Sequence, residues 1–175
     1  MPSHRAWTER LRTALARRGA AGRAAARYLT AHGIELRLRD QPTAARWTLR
    51  RTIDIHPRYS LRSPAEPYAL SLVVHEIEHI RQGFFAALSV YGELRAWKAQ
   101  FGFLLATGAK IAGSRHQRQL IRSLLGLPSG WDRPGLQKSR DLMRAYAGKS
   151  YRVDLLPLYP LPQELSFWMF RRAPR

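Results

Sequence analysis

His75 and His79 stand four residues apart in SLVVHEIEHIRQG, residues 71–83. A helix puts positions i and i+4 on one face, so both imidazoles can reach a single point while Glu76 projects beside them. Two donors do not make a metal site, because a catalytic zinc centre takes three protein ligands and leaves a fourth position to water. The chain therefore has to bring a further donor back to the same face. Glu93 lies 14 residues after His79, beyond Gly83, near the start of the next predicted helix. It meets the need if that helix returns antiparallel to the first. No other feature constrains the fold as much: two neighbouring helices must be joined by a short turn. With six histidines in 175 residues, chance placement yields about 0.01 H-E-x-x-H matches per chain. The plainer alternatives are that His75 and His79 are polar residues on a half-buried helix, and that Glu93 is a solvated residue paired with an Arg. Glu78, in the same motif, reads as a surface charge or an Arg partner.

The flanking sequence supplies elements in an α+β order. Leu11, Leu15, Ala24 to Ala26, Tyr28 and Leu29 recur at helical spacing, which predicts one helix from Thr8 to about Ala31, stopped by Gly33. Ile34, Leu36 and Leu38 then alternate with charged residues, as do Trp47, Leu49, Ile53 and Ile55 within residues 45–56. Both stretches read as strands with one buried face, paired as an antiparallel hairpin across the turn residues DQPTA. Ser63, Pro64 and Glu66 form a capping-box pattern that starts the H-E-x-x-H helix near Pro64 and carries it to Gln82. FFAAL can add a further turn. The second helix covers roughly residues 89–108, with Leu94, Trp97, Phe101 and Leu104 or Leu105 as its core stripe. Helices follow over residues 116–126 and 135–148, and then a tail from Tyr151 whose prolines oppose a long regular element. That tail carries Leu155, Leu156, Leu158, Leu161, Leu165, Phe167, Trp168, Met169 and Phe170 and is too apolar to be wholly solvated. It can pack on the core, plug a groove or mediate dimerisation. The whole reads as a single domain over residues 1–175, with a catalytic core at about 8–108 and a C-terminal helical extension and apolar tail at about 114–175.

Composition narrows the chemistry. The chain has no Cys, so a disulfide framework, a thiolate metal site and a thiol nucleophile are all excluded, and any metal must be held by His and carboxylate. Thirty Lys and Arg against 12 Asp and Glu give a formal charge of +18, which attracts polyanions non-specifically. The codon usage of a GC-rich genome would supply the same Arg, Ala, Leu and Gly. The N-terminus MPSHRAWTERLRTALARRG lacks the apolar core of a secretory signal. The most apolar stretch, FGFLLATGAKIAG, is shorter than the roughly 20 residues a bilayer requires. A cytoplasmic chain without a membrane span is expected. His4, His32 and His116 have no neighbours in sequence that argue for a role, and His56, at the end of the second strand, is either structural or close to the cleft.

H-E-x-x-H on one helix with a Glu on the following helix resembles the gluzincin branch of zinc metallopeptidases. The order of helix, hairpin, H-E-x-x-H helix and glutamate helix is similar to minigluzincin cores. ELRAWKAQF is also similar to the E-x-x-A segment of small bacterial peptidases of the ImmA/IrrE type. The resemblance covers about residues 8–108. It implies a zincin-like fold with His75, His79 and Glu93 as zinc ligands and Glu76 as general base. It also implies that the edge strand of the sheet, most plausibly residues 45–56 with Ile53, Asp54, Ile55 and His56 near the cleft, pairs with an extended peptide. Two departures stand out. Trp97 occupies the position, four after the ligand Glu, where many gluzincins carry an Asp that orients a histidine. No motif selects an oxyanion-holding residue among Tyr91, Tyr151, Tyr159 and His116.

Two functions follow as expectations. One is a zinc-dependent peptidase in which Glu76 accepts the proton of an attacking water and delivers it to the leaving amine. The other is a non-catalytic, zinc-stapled basic module that binds nucleic acid or a regulatory protein partner. No helix-turn-helix, RNP-like or zinc-finger pattern accompanies the positive charge.

Overall fold

In a computed structural model, residues 4–111, 113–148, 151, 153, 156–159 and 161–170 are described. The architecture is α+β. Leu155 lies outside the described residues, as do the side chains of His4, Leu161, Phe167 and Trp168.

The predicted first helix is two: α1 (His4–Ala16) and α2 (Gly19–Ala31). The break falls at Gly19, whose φ of +66° is cheap only without a Cβ. The Arg17 and Arg18 amides close the end of α1 on the carbonyls of Ala14 and Leu15. Helical periodicity continues through the corner because both helices bury their stripes in one core, Trp7, Leu11 and Leu15 with Ala25, Ala26 and Leu29.

The sheet departs further from expectation. It contains β1 (Glu35–Leu38), β2 (Ala45–Trp47) and β3 (Thr52–Ile55) in the order β1-β3-β2. β1 and β3 are parallel, with Leu36 opposite Ile53, and β2 and β3 are antiparallel, with Trp47 opposite Ile53. The hairpin thus lies inside residues 45–56 and not across DQPTA. Its turn closes through the Thr48 amide on the Thr52 carbonyl, and Arg51 takes a left-handed φ of 56°. Leu49, expected on the buried face, sits in that turn and is exposed. DQPTA instead carries the chain from one edge of the sheet to the other, and buried Gln41 donates to the Asp54 carbonyl on the way.

After a 3₁₀ turn at Pro57–Leu61, α3 (Pro67–Gln82) begins three residues later than the capping-box pattern predicts. Pro67 sits in the first helical turn and Glu66 is the cap, its Oε2 accepting from the Ala69 amide at 2.9 Å. Ser63 accepts from the Ala65 amide and so caps only the preceding turn. Gly83 ends α3, the short α4 (Phe84–Ala87) turns the chain, and α5 (Val90–Ala106) runs back along α3. α6 (Arg115–Gly126), α7 (Arg133–Ala147) and α8 (Leu161–Phe170) follow. The prolines of the tail lie before and within the first turn of α8, which is why they do not prevent it.

One core joins α1, α2, the sheet and α3, and includes Phe103 of α5. A second gathers Leu94, Trp97, Phe101 and Leu104 of α5 with Ile121, Leu124, Leu136, Met143, Val153, Leu158 and Tyr159. Tyr151, Val153, Leu156, Leu158 and Tyr159 therefore belong to the core that α5 forms, while Leu165, Met169 and Phe170 of α8 are exposed. Among the described residues no helix is long and apolar enough to cross a membrane.

Gly92 is the point of closest approach in the turn. A methyl group there would collide with the Ala86 carbonyl oxygen and crowd Gln82 Oε1. Gly92→Ala is expected to destabilise the protein by about 1–3 kcal/mol through overpacking, read as a lower midpoint in urea unfolding.

Candidate metal centre

His75 and His79 occupy successive turns of α3, and both are buried. Glu93 stands in the first turn of α5, which several bonds fix in place. Ser89 caps the helix by accepting from the Gly92 amide at 3.0 Å, and its carbonyl accepts from the Glu93 amide at 3.0 Å. Gln82 Nε2 at the end of α3 donates to the Gly92 carbonyl at 3.1 Å, and the Val90 amide donates to Pro157 O at 2.8 Å. The antiparallel return expected from sequence thus brings the three donors together, within 4.8 Å of one another. His75 Nε2 and His79 Nε2 are 3.1 Å apart, and Glu93 reaches them at 3.8 Å (Oε2) and 3.5 Å (Oε1). Bonds of about 2.1 Å in a tetrahedral centre separate neighbouring ligand atoms by about 3.4 Å, so these spacings suit one small cation.

Electrostatics point the same way. Burial, followed by the neighbouring His79 charge, lowers the His75 pKa to about 4 against the opposing pull of Glu93. Burial lowers His79 to about 4 as well. Both rings are therefore neutral, the form that coordinates a cation. Gln100 approaches the His75 ring and opposes the shift, but not in hydrogen-bond geometry with Nδ1. Nδ1 of each histidine has no hydrogen-bond partner among the described residues.

Glu76 is buried next to this group, and its Oε2 accepts from the Trp47 amide at 2.8 Å. Burial raises its pKa to about 8, the Glu93 charge adds to the rise, and the Trp47 N–H opposes it. Glu78 points elsewhere and pairs with Arg95 at 2.7 Å. On the open side, the Trp47 ring stacks toward His79 at 6.4 Å between centroids and meets Phe84 edge-on at 6.3 Å. Phe84 and Phe85 are exposed there.

The strand expected to meet a peptide is placed differently. Ile53, Asp54 and Ile55 lie on β3, the central strand, with a partner on each side and no free edge. Asp54 is enclosed by Arg37, Arg39 and Arg46 at 3.4 to 3.9 Å. His56 caps the 3₁₀ turn through Nδ1, which accepts from the Arg58 amide, and lies 3.5 Å from Asp40. The edge facing α3 is β2, where the Trp47 amide is given to Glu76 and the Ala45 carbonyl accepts from Thr43 Oγ1.

Of the four oxyanion candidates, only Tyr151 reaches the cluster. Its hydroxyl donates to Glu93 Oε2 at 2.6 Å and accepts from Trp97 Nε1 at 2.7 Å. Burial and the Glu93 charge hold its pKa well above the ordinary tyrosine value. Tyr91 stacks on Trp131 at 3.7 Å, Tyr159 belongs to the second core, and His116 is exposed at the start of α6. Sequence reasoning missed the Trp47 amide entirely, since a backbone donor leaves no residue-type signal. Trp97 was legible as part of the core stripe and as a departure from the gluzincin pattern, but not as a donor to Tyr151. Comparison with protein-family models, curated proteins and solved structures gave no match.

In chelator-treated protein the buried groups should shape stability against pH. Each histidine binds its proton near 6.5 when unfolded and near 4 when folded. Their contribution is complete above about pH 6.5 and is lost as the pH falls toward 4. Glu76 runs the other way: its contribution is complete below its ordinary 4.5 and is lost as the pH rises through about 8. Two histidine protons outweigh one carboxyl proton below pH 6.5, so thermal midpoints measured across pH should peak near pH 6.5 and fall on both sides. His79→Gln should flatten the acid limb.

Proposed function

We propose that this chain is a zinc-dependent metallopeptidase. The observation that carries the reading is the convergence of His75, His79 and Glu93 from two helices, with Glu76 buried beside them. The three would hold the ion, and two neutral imidazoles with one carboxylate leave it a net positive charge. Zinc, when bound there, supplies Lewis acidity toward water and toward a peptide carbonyl.

Glu76 is the proton carrier. The Trp47 amide holds Oε2, leaving Oε1 to take a proton from the attacking water and pass it to the leaving amine. Burial raises the Glu76 pKa, and the positive charge of an ion held by His75, His79 and Glu93 would oppose that rise and favour the basic carboxylate. Glu78 is committed to Arg95 and takes no part. The exposed Phe84 and Phe85, next to Trp47, offer apolar side chains of a peptide a surface beside His79.

A second reading is favoured by one observation: on β2 the outward Trp47 amide and Ala45 carbonyl already have partners, which leaves an extended peptide fewer backbone groups to pair with. In that reading the zinc staples α3 to α5 without turnover, and the +18 chain contacts nucleic acid or a protein partner.

Glu76→Gln separates the two. On the peptidase reading, elemental mass spectrometry finds near one zinc per chain in wild type and Glu76→Gln and a marked loss in Glu93→Ala. Turnover of a peptide library falls about 10²- to 10⁴-fold in Glu76→Gln. Undiminished turnover in that variant would sink the role of Glu76, and zinc content without turnover in wild type would favour the staple.

A further inference from the structure

The Glu93 carboxylate is held from outside the two helices that carry the cluster. Tyr151 follows α7, 58 residues after Glu93 in sequence, and its hydroxyl donates to Glu93 Oε2 at 2.6 Å. That hydroxyl accepts from Trp97 Nε1 at 2.7 Å. An indole nitrogen can only donate, so Trp97 fills a lone pair of the tyrosine oxygen and leaves its proton to Glu93. The direction of the chain is thereby fixed: Trp97 to Tyr151 to Glu93. Trp97 lies one turn after Glu93 on α5 and is buried, and its ring meets that of Tyr151 edge-on at 5.4 Å.

The segment bearing Tyr151 is anchored independently. The Tyr151 amide donates to the Gly148 carbonyl at 3.2 Å, directly after α7. Pro157 O accepts from the Val90 amide at the start of α5, and Val153 and Leu158 are buried in the second core. None of these contacts involves His75, His79 or Glu93, so the segment is placed by groups outside the cluster.

We infer that Tyr151 is a positioning residue of the metal centre, through which Trp97 and the segment after α7 fix the orientation of Glu93 toward His75 and His79. The inference rests on the proposed function. It gives Trp97, whose place four after Glu93 departs from the gluzincin pattern, a role in supporting a ligand, and makes Tyr151 part of the centre and not an appendage to it. Partners behind a ligand that orient it typically govern metal affinity 10- to 100-fold.

The test is zinc affinity, measured by competition with a chromogenic chelator on the full chain. The variants are Tyr151→Phe, Trp97→Phe and the pair together, with Tyr59→Phe in the other core as control. Tyr151→Phe should weaken zinc binding about 10- to 100-fold, and the rise in thermal midpoint on adding zinc should shrink while the stripped midpoint changes less. A purely structural role would lower stripped and loaded midpoints alike. Trp97→Phe should weaken binding to a smaller extent, and the double variant should match Tyr151→Phe, because Trp97 acts through the tyrosine. Wild-type zinc affinity in folded Tyr151→Phe overturns the inference and leaves the proposed function standing. Should Tyr151→Phe fail to fold, unchanged affinity in Trp97→Phe overturns it instead. Wild-type protein that binds no zinc overturns both.

Discussion

The packing of α3 on α5 is the constraint from which the rest of the structure follows. Each helix carries only part of a site: α3 the two imidazoles and Glu76, α5 the carboxylate. Their alignment depends on the short α4 turn, on the missing side chain at Gly92 and on the Ser89 cap, which together place the first turn of α5 beside the last turns of α3. Hydrophobic burial then locks the pair. Phe103 of α5 joins Val73 and Ile77 of α3 in one core, and Leu94, Phe101 and Leu104 anchor α5 in the other. Each such side chain contributes about 1.5–3 kcal/mol when fully buried, so the donors are carried by a scaffold that is stable for reasons unrelated to them.

That scaffold creates an electrostatic problem that a cation would resolve. Two carboxylates, Glu76 and Glu93, share a poorly hydrated space with two imidazoles that burial keeps neutral. The carboxylates receive hydrogen bonds from the Trp47 amide and the Tyr151 hydroxyl, both uncharged donors. Arg95, two residues after Glu93, is paired with Glu78. In a chain with 30 Lys and Arg, a pair of buried and half-buried carboxyl groups with no guanidinium partner among the described residues is a specific arrangement, since isolated buried charge is costly unless paired or coordinated to a metal.

The parts of this arrangement that were legible in sequence are those encoded by short periodicity. The i, i+4 histidines, the Gly83 stop, the antiparallel return and the stripe at Leu94, Trp97, Phe101 and Leu104 all involve residues within a few turns of one another. The sheet was legible as strands but not as a topology. Alternation reports which face is buried and says nothing of which strand is the neighbour, and a four-residue turn ending at left-handed Arg51 carries none of the usual glycine signal. The start of α3 was misplaced because two prolines and two caps compete within five residues, and the later pair wins. What supports the cluster was invisible for a different reason. The Trp47 amide is backbone, and the Tyr151 hydroxyl comes from a segment far along the chain whose place is set by the second core.

The hairpin turn at residues 48–51 looks like ordinary surface, yet it sets the phase of the strand before it. Along β2, alternate amides face β3 and α3, and the register with Trp47 opposite Ile53 turns the Trp47 amide toward Glu76. A strand's two directions exchange with every single-residue slip. One residue added to or removed from that loop would turn the amide inward and leave the Glu76 carboxyl without this donor, with every residue of the H-E-x-x-H motif intact. Loop length, a trait that surface turns ordinarily vary at little cost, is here a chemical parameter of the carboxylate, and a change there would be read in the basicity of Glu76 before it was read in the fold.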